Sequence, residues 1–145
     1  MKSLSYLSSI LALFLLLASC GKDGSDPTPN TASFRVDFNQ SGDYEKFNKI
    51  ISISGGEFKY RGTNDIVPAA LIGDDLKAAS FSIEADNVEE LEISTITGFS
   101  PVQSGPATMT MKFTVYKNGV LLDEKSFTYT EVTRDKSEDL NYKAN

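Results

Sequence analysis

The stretch Ala107–Val132, "ATMTMKFTVYKNGVLLDEKSFTYTEV", decides the fold. In its first half Met109, Met111, Phe113 and Val115 recur at every second position, with Thr and Lys between them. A repeat of two is the mark of a half-buried strand, because successive side chains on a strand point to opposite faces. "YKNGV" then supplies a turn, and a second alternating run closes a hairpin. Two registers are open. A two-residue loop at Asn118-Gly119 sets Phe113 opposite Glu124 and Met111 opposite Ser126. A three-residue loop, Lys117-Asn118-Gly119 with Gly119 left-handed, makes a bulged hairpin in which Val115 faces Leu121, Met109 faces Phe127, Ala107 faces Tyr129 and Lys112 meets Glu124. The bulged form matches the apolar phases better and is the expected one, since a one-residue slip turns every side chain to the other face. Asp123 and Lys125 still share its apolar phase, so this edge is expected to run beyond the core.

The same alternation recurs upstream. "SFRVDFN" places Phe34, Val36 and Phe38 on one face; "KFNKIISIS" carries Phe47, Ile51 and Ile53 in phase; "FKYR" follows a Gly55-Gly56 turn with Phe58 and Tyr60. "ASFSIEA" aligns Phe81, Ile83 and Ala85, and "LEISTI" aligns Leu91, Ile93 and Thr95. Between them lies a mixed loop, "GTNDIVPAALIGDDLK", where Pro68 argues against a central strand. About seven short strands over roughly 100 residues, with no amphipathic helix between them, predict an all-β antiparallel sandwich of immunoglobulin-like type; a small β-barrel is the alternative. This domain is expected over 33–133. The remainder, 134–145 ("RDKSEDLNYKAN"), is charged, breaks the alternation and reads as a frayed tail or a single helical turn.

The N-terminus has a different character. Lys2 precedes an apolar run, Ile10–Ala18, that is too short to cross a hydrocarbon core needing ~20 helical residues. It ends in small residues, so 1–19 reads as a cleaved secretory signal peptide. The "LASC" that closes it, Leu17 to Cys20, resembles the lipobox of bacterial lipoproteins. The resemblance implies cleavage before Cys20, a diacylglycerol on its thiol, and an acyl chain such as palmitate on the freed amine. Two or three chains anchor firmly where one holds only marginally. Cys20 is the sole cysteine, so no disulfide is possible within the chain. Residues 20–32 hold Gly, Pro, Asp, Ser and Thr after the cysteine and read as a flexible tether. Their "KDGSD" start is similar to the surface-export tract of Bacteroidota lipoproteins; a solvated spacer accounts for the same residues.

Composition narrows the chemistry. The 145 residues carry 20 Asp+Glu against 14 Lys+Arg, a net charge of −6, with no clustered cations, so nucleic acid is not an expected partner. The absence of histidine removes the commonest general base and metal ligand. With Cys20 lipidated, no nucleophile–base spacing stands out, and the adjacent carboxylates Asp74-Asp75 and Glu89-Glu90 would point apart on a strand. Asp43, Asn64, Asp65, Asp74, Asp75, Asp86 and Asn87 fall in predicted turns, where Asp and Asn are favoured without any ion, and none forms a helix-loop-helix calcium pattern. No catalytic residue, metal site or cofactor is expected, and the chain is read as a non-enzyme. One loop holds exposed-reading apolar residues, Ile66, Val67, Pro68, Leu71 and Ile72, which either contact a ligand or cap an open end of the core.

In layout the chain resembles the small single-domain lipoproteins of Bacteroidota with immunoglobulin-like folds, and more faintly the immunoglobulin-like accessory proteins of envelope transporters. That resemblance implies a lipid-anchored protein of the outer membrane, on its periplasmic or cell-surface face, that binds a protein or glycan. The alternative is a structural or accessory subunit of an envelope complex.

Overall fold

A computed structural model describes residues 30–145. They form nine strands: β1 Ala32–Gly42, β2 Phe47–Ser54, β3 Lys59–Tyr60, β4 Ala70–Ile72, β5 Ser80–Val88, β6 Glu90–Phe99, β7 Thr108–Lys117, β8 Val120–Thr130 and β9 Lys136–Lys143. A five-stranded sheet runs β3-β5-β1-β7-β8 and a four-stranded sheet runs β4-β2-β6-β9, all pairs antiparallel. The two sheets stack as a sandwich, and among the described residues no barrel closes. Between them Phe34, Val36, Phe38, Ile51, Ile83, Leu91, Ile93, Met109, Met111, Phe113 and Val115 are buried from water. Phe38 stacks against Phe81 at 4.8 Å and tilts against Phe113 at 5.2 Å, packing the middle of the five-stranded sheet with aromatic rings.

Seven strands coincide with the alternating segments, and two do not. β4 is a three-residue edge inside the mixed loop, where only Leu71 turns inward. β9 is the stretch expected to be a frayed tail. It pairs with β6 from Glu90↔Lys143 to Thr97↔Lys136, burying Leu140 and half-burying Glu138 and Tyr142. Its alternation is masked because an edge strand keeps charged residues on its open side, which guards against pairing with another chain. The sandwich therefore extends to Lys143, past the expected boundary at 133.

The hairpin turns as the shorter loop, not the three-residue one. Asn118 (φ 51°) and Gly119 (φ 78°) are both left-handed, the backbone of a two-residue type I′ turn, with Lys117 opposite Val120. The phase mismatch this creates is absorbed two residues on. Tyr116 faces Leu121 but Val115 faces Asp123, so Leu122 is an extra, bulged residue. Past the bulge Met111 faces Phe127 and Met109 faces Tyr129, which returns Tyr129 to the core. Lys112 still meets Glu124, at 2.9 Å, although Thr114 is Glu124's direct partner. Asp123 and Lys125 lie at the rim; Asp123 accepts a hydrogen bond from the Tyr142 hydroxyl of β9 at 3.0 Å.

Because β9 closes one flank of the core, a chain ending at Asp135 is expected to melt at least about 8 °C lower, the equivalent of some 2 kcal/mol. Calorimetry of the full and shortened chains checks this; equal melting temperatures would mean that β9 is dispensable.

Candidate functional site

The pairing fixes two ends. β1 starts beside the β7–β8 turn, since Phe34 pairs with Lys117, and finishes beside the start of β7, since Gly42 pairs with Met109. The first end receives the chain from its N-terminal segment. The opposite end carries the links 43–46, 73–79, 100–107 and 131–135.

At that far end β1 turns into the other sheet. Gly42 has a φ of +79° and leaves no room for a Cβ beside the Thr108 carbonyl. Asp43 then clasps β7: its N–H donates to the Thr108 carbonyl at 2.8 Å and its carboxylate accepts from the Thr108 N–H at 3.1 Å. A 3-10 turn, Tyr44–Lys46, leads into Phe47, which is buried edge-on to Phe99. Facing it across a cleft of about 560 Å³ is a second 3-10 turn, Gly73–Leu76; Tyr44, Phe47, Lys49, Asp74, Leu76 and Lys77 line the walls.

Two inward-phase polar residues build this cleft. Gln40 follows Phe34, Val36 and Phe38 on the core face of β1 and is 2% exposed. Its amide nitrogen donates to the carbonyls of Leu76 (2.7 Å) and Ala78 (2.8 Å), and its backbone N–H donates to Ala79 at 2.8 Å. The 73–79 link is thus held from beneath. Lys49 shares the core phase of Phe47, Ile51 and Ile53 on β2. Its ammonium donates to the Tyr44 carbonyl at 2.6 Å and lies 5.1 Å from the centre of the Tyr44 ring. Burial lowers its pKa to about 8, partly countered by Glu45. Alternation alone did not single out either residue, yet the signal was present: a polar side chain in an apolar phase needs a partner that only the fold can supply.

The loop expected to contact a ligand divides. Val67 and Leu71 are core residues, 7% and 0% exposed, which removes them from any contact surface. The reason is that the Val67 N–H bonds the Phe58 carbonyl and Ala69 bonds Ile53, folding the insert back along β2. Ile66 and Pro68 remain at the surface beside a shallow pocket with Phe58. Ile72 is exposed and lies opposite Ile50, which lies opposite Ile96. These three isoleucines make an apolar row across the outer face of the four-stranded sheet. The row abuts the cleft, because Asn48 and Gly73 line the one and Ile50 and Ile72 belong to the other.

The outer face of the five-stranded sheet is different. Most of the charges lining its groove of about 660 Å³ are paired: Arg35 with the adjoining Asp37 at 3.3 Å, Arg61 with Glu84 at 3.4 Å, and Lys59 with Glu57 at 3.9 Å, while Asp86 has no partner among the described residues. Arg35 also lies 3.7 Å over the Tyr116 ring. Satisfied surface pairs of this kind leave little for a ligand to gain.

Among the described residues no three acidic side chains converge on a point that could hold a metal ion. Three carboxylates near the cleft are engaged: Asp43 with Thr108 and Lys46, Asp74 with Lys77 at 2.7 Å, Asp75 with the Ile72 N–H at 3.2 Å; Glu45, which lines it, has no hydrogen-bond or ion-pair partner among the described residues. Cys20 lies outside the described residues.

The profile of a family described as PLCC, PLAT/LH2 and C2-like Ca2+-binding lipoprotein, matches residues 2–143. The chain belongs to this family. Solved structures share its fold. A domain of unknown function, DUF4425, from Bacteroides vulgatus superposes with a TM-score of 0.66 at 13% identity, covering 79% of this chain and 97% of that one. A protein from Parabacteroides distasonis, determined in its calcium-bound form, gives 0.60 at 23% identity, covering 83% and 98%. A DUF4425 family protein from Bacteroides ovatus gives 0.61 at 9% identity, covering 79% and 96%. No curated protein sequence matches the chain.

Two outcomes follow from the cleft. Lys49 releases its proton near pH 8 in the folded state, whereas the unfolded value is 10.5, so between these values the unfolded chain holds more protons and stability rises with pH. Lys49→Met is expected to flatten that rise between pH 8 and 9.5, read from melting temperatures; an unchanged slope would place the lysine in water. Gln40→Leu strands the buried Leu76 carbonyl and the part-buried Ala78 carbonyl and is expected to cost ~1–3 kcal/mol and to speed amide exchange across 73–79. Unaltered exchange there would show the clamp to be idle.

Proposed function

We propose that this lipoprotein is a non-catalytic binding module, held at the outer membrane through a lipidated Cys20, that captures a protein partner with the Lys49 cleft and the adjoining row of Ile72, Ile50 and Ile96. The observation that carries this reading is the contrast between its two sheet faces. One face neutralises most of its own charges, while the other offers aliphatic side chains beside a cleft with one half-buried cation. Isolated apolar residues on a surface are ordinary; a contiguous row flanked by a polar cleft has the make-up of a protein contact. A glycan is less well served, because sugar rings stack on aromatic platforms and the large hydrophobic residues exposed here are all Ile, Val or Leu.

The lipobox reading of Leu17–Cys20 supports the anchor, and the family's description as lipoproteins agrees with it. Calcium enters through that same description and through the calcium-bound relative from Parabacteroides distasonis. The side chains around the cleft do not form a ready cage for it, because no three acidic side chains converge there among the described residues, so calcium has no part in the proposed capture. The alternative role, an accessory subunit docking by a sheet edge, draws on one feature: the two long edge strands, β8 and β9, flank the same side of the sandwich, while β3 and β4 at the other side are two and three residues long.

A photo-reactive amino acid at position 50 or 72 of the lipidated protein is expected to trap the same partner in intact envelopes, while one at Thr114 on the opposite face traps none. Trapping at Thr114 alone would overturn the assignment. In the same cells, Cys20→Ala is expected to move the protein from the membrane to the soluble fraction, and surface proteolysis reports which face it occupies.

A further inference from the structure

The most exposed apolar cluster lies at the other end of the sandwich. Val120, Leu121 and Leu122, at the tip of the β7–β8 hairpin, are 70%, 56% and 44% exposed. They belong neither to the core nor to the cleft. The bulge at Leu122 accounts for this, since the turn carries these residues past the last core layer before β8 regains its register.

The chain enters the sandwich at this same tip. The Ser33 N–H donates to the Asn118 side-chain oxygen at 3.0 Å, and the Asn118 N–H donates to the Ser33 carbonyl at 2.9 Å. Asn118 therefore ties the turn to the start of β1. Eleven residues separate Cys20 from Ala32, a reach of at most ~40 Å fully extended. Cations flank the cluster: Lys117 precedes the turn, and its ammonium donates to the Lys143 carbonyl at 3.2 Å. Carboxylates are present at this end too: Glu89 before β6, and Glu90 at its start, paired in register with Lys143. Directly after the cluster, Asp123 is held by Tyr142 and Lys125, and Glu124 by Lys112.

We infer that the hairpin tip docks on the lipid bilayer, with Val120, Leu121 and Leu122 seated at the acyl boundary and Lys117 and Lys143 among anionic headgroups. The occupant is the leaflet that holds Cys20, so the inference rests on the anchoring reading above. Apolar side chains bordered by Lys suit an interfacial position, where the hydrophobic part is buried and the ammonium stays at headgroup level. The tether brings the tip to that surface, so weak contacts suffice to orient the domain. The cleft then faces away from the membrane.

The chain has no tryptophan, so Leu121→Trp and Val102→Trp each introduce a single reporter, the second in the β6–β7 link at the far end. Each full-length lipidated variant is reconstituted into phosphatidylethanolamine–phosphatidylglycerol vesicles, floated on a gradient and read for fluorescence with and without brominated acyl chains. The expected result is flotation of both, with the Leu121→Trp emission falling by about half or more and the Val102→Trp emission unchanged. Flotation with an unquenched Leu121→Trp would overturn the docking and leave the anchor standing. Failure to float would overturn the anchor and the docking with it. A Leu121→Trp emission that ignores bromine but shifts to the blue as protein concentration rises would assign the tip to a second copy of the chain, and would also overturn the proposal.

Discussion

Everything in this sandwich depends on the double pairing of β1. It is hydrogen-bonded to β5 on one side and β7 on the other, and Phe34, Val36, Phe38 and Gln40 are almost wholly buried along its inner face. That placement fixes three things together. The chain enters beside the β7–β8 turn, it leaves through the Gly42–Asp43 corner into the second sheet, and the last inward residue, Gln40, comes to lie under the 73–79 link. The cleft exists because a polar amide occupies a position where alternation demands an apolar side chain. Its two donated hydrogen bonds make it a clamp, at the cost of an amide oxygen buried without a partner.

Polarity follows from the same strand. A domain whose first strand begins at one end shows that end to whatever holds its N-terminus. The apolar hairpin tip with its lysines lies there, and the cleft with its isoleucine row lies toward the other end. The opposing sheet faces divide the work in a second direction, one covered largely with self-paired charges and one left partly apolar. Both divisions arise from side chains placed by strand register, where a one-residue change would exchange them.

Much of this was legible in the residues. Repeats of two at Met109–Val115, Phe34–Phe38 and Leu91–Thr95 are strong because those strands are buried on one face along their full length. The edges were harder to see. β9 carries only Leu140 and Tyr142 inward among charges, and β4 has a single buried residue, so neither offers a run long enough for a period to show. The hairpin register was misjudged for a local reason: the apolar phases before and after the turn disagree, and a bulge at Leu122 reconciles them with a two-residue turn as well as a longer loop would. The site was the least legible part. Val67 and Leu71 look like a sticky loop in sequence but fill the core, whereas Ile50, Ile72 and Ile96 come from three strands and meet only through pairing. Lys49 and Gln40 were visible as polar intruders in apolar phases, yet what each one binds depends on a turn distant in sequence.

The central claim is that the β7–β8 tip faces the bilayer and the Lys49 cleft faces away. Paramagnetic broadening tests it most directly, with the 15N-labelled lipidated protein in nanodiscs carrying a spin label on the lipid headgroups. Broadened amides are expected at Ser33, Asn118 and Leu121 and sharp ones at Tyr44, Leu76 and Val102. Broadening at Tyr44 and Leu76 with sharp signals at Leu121 would contradict it.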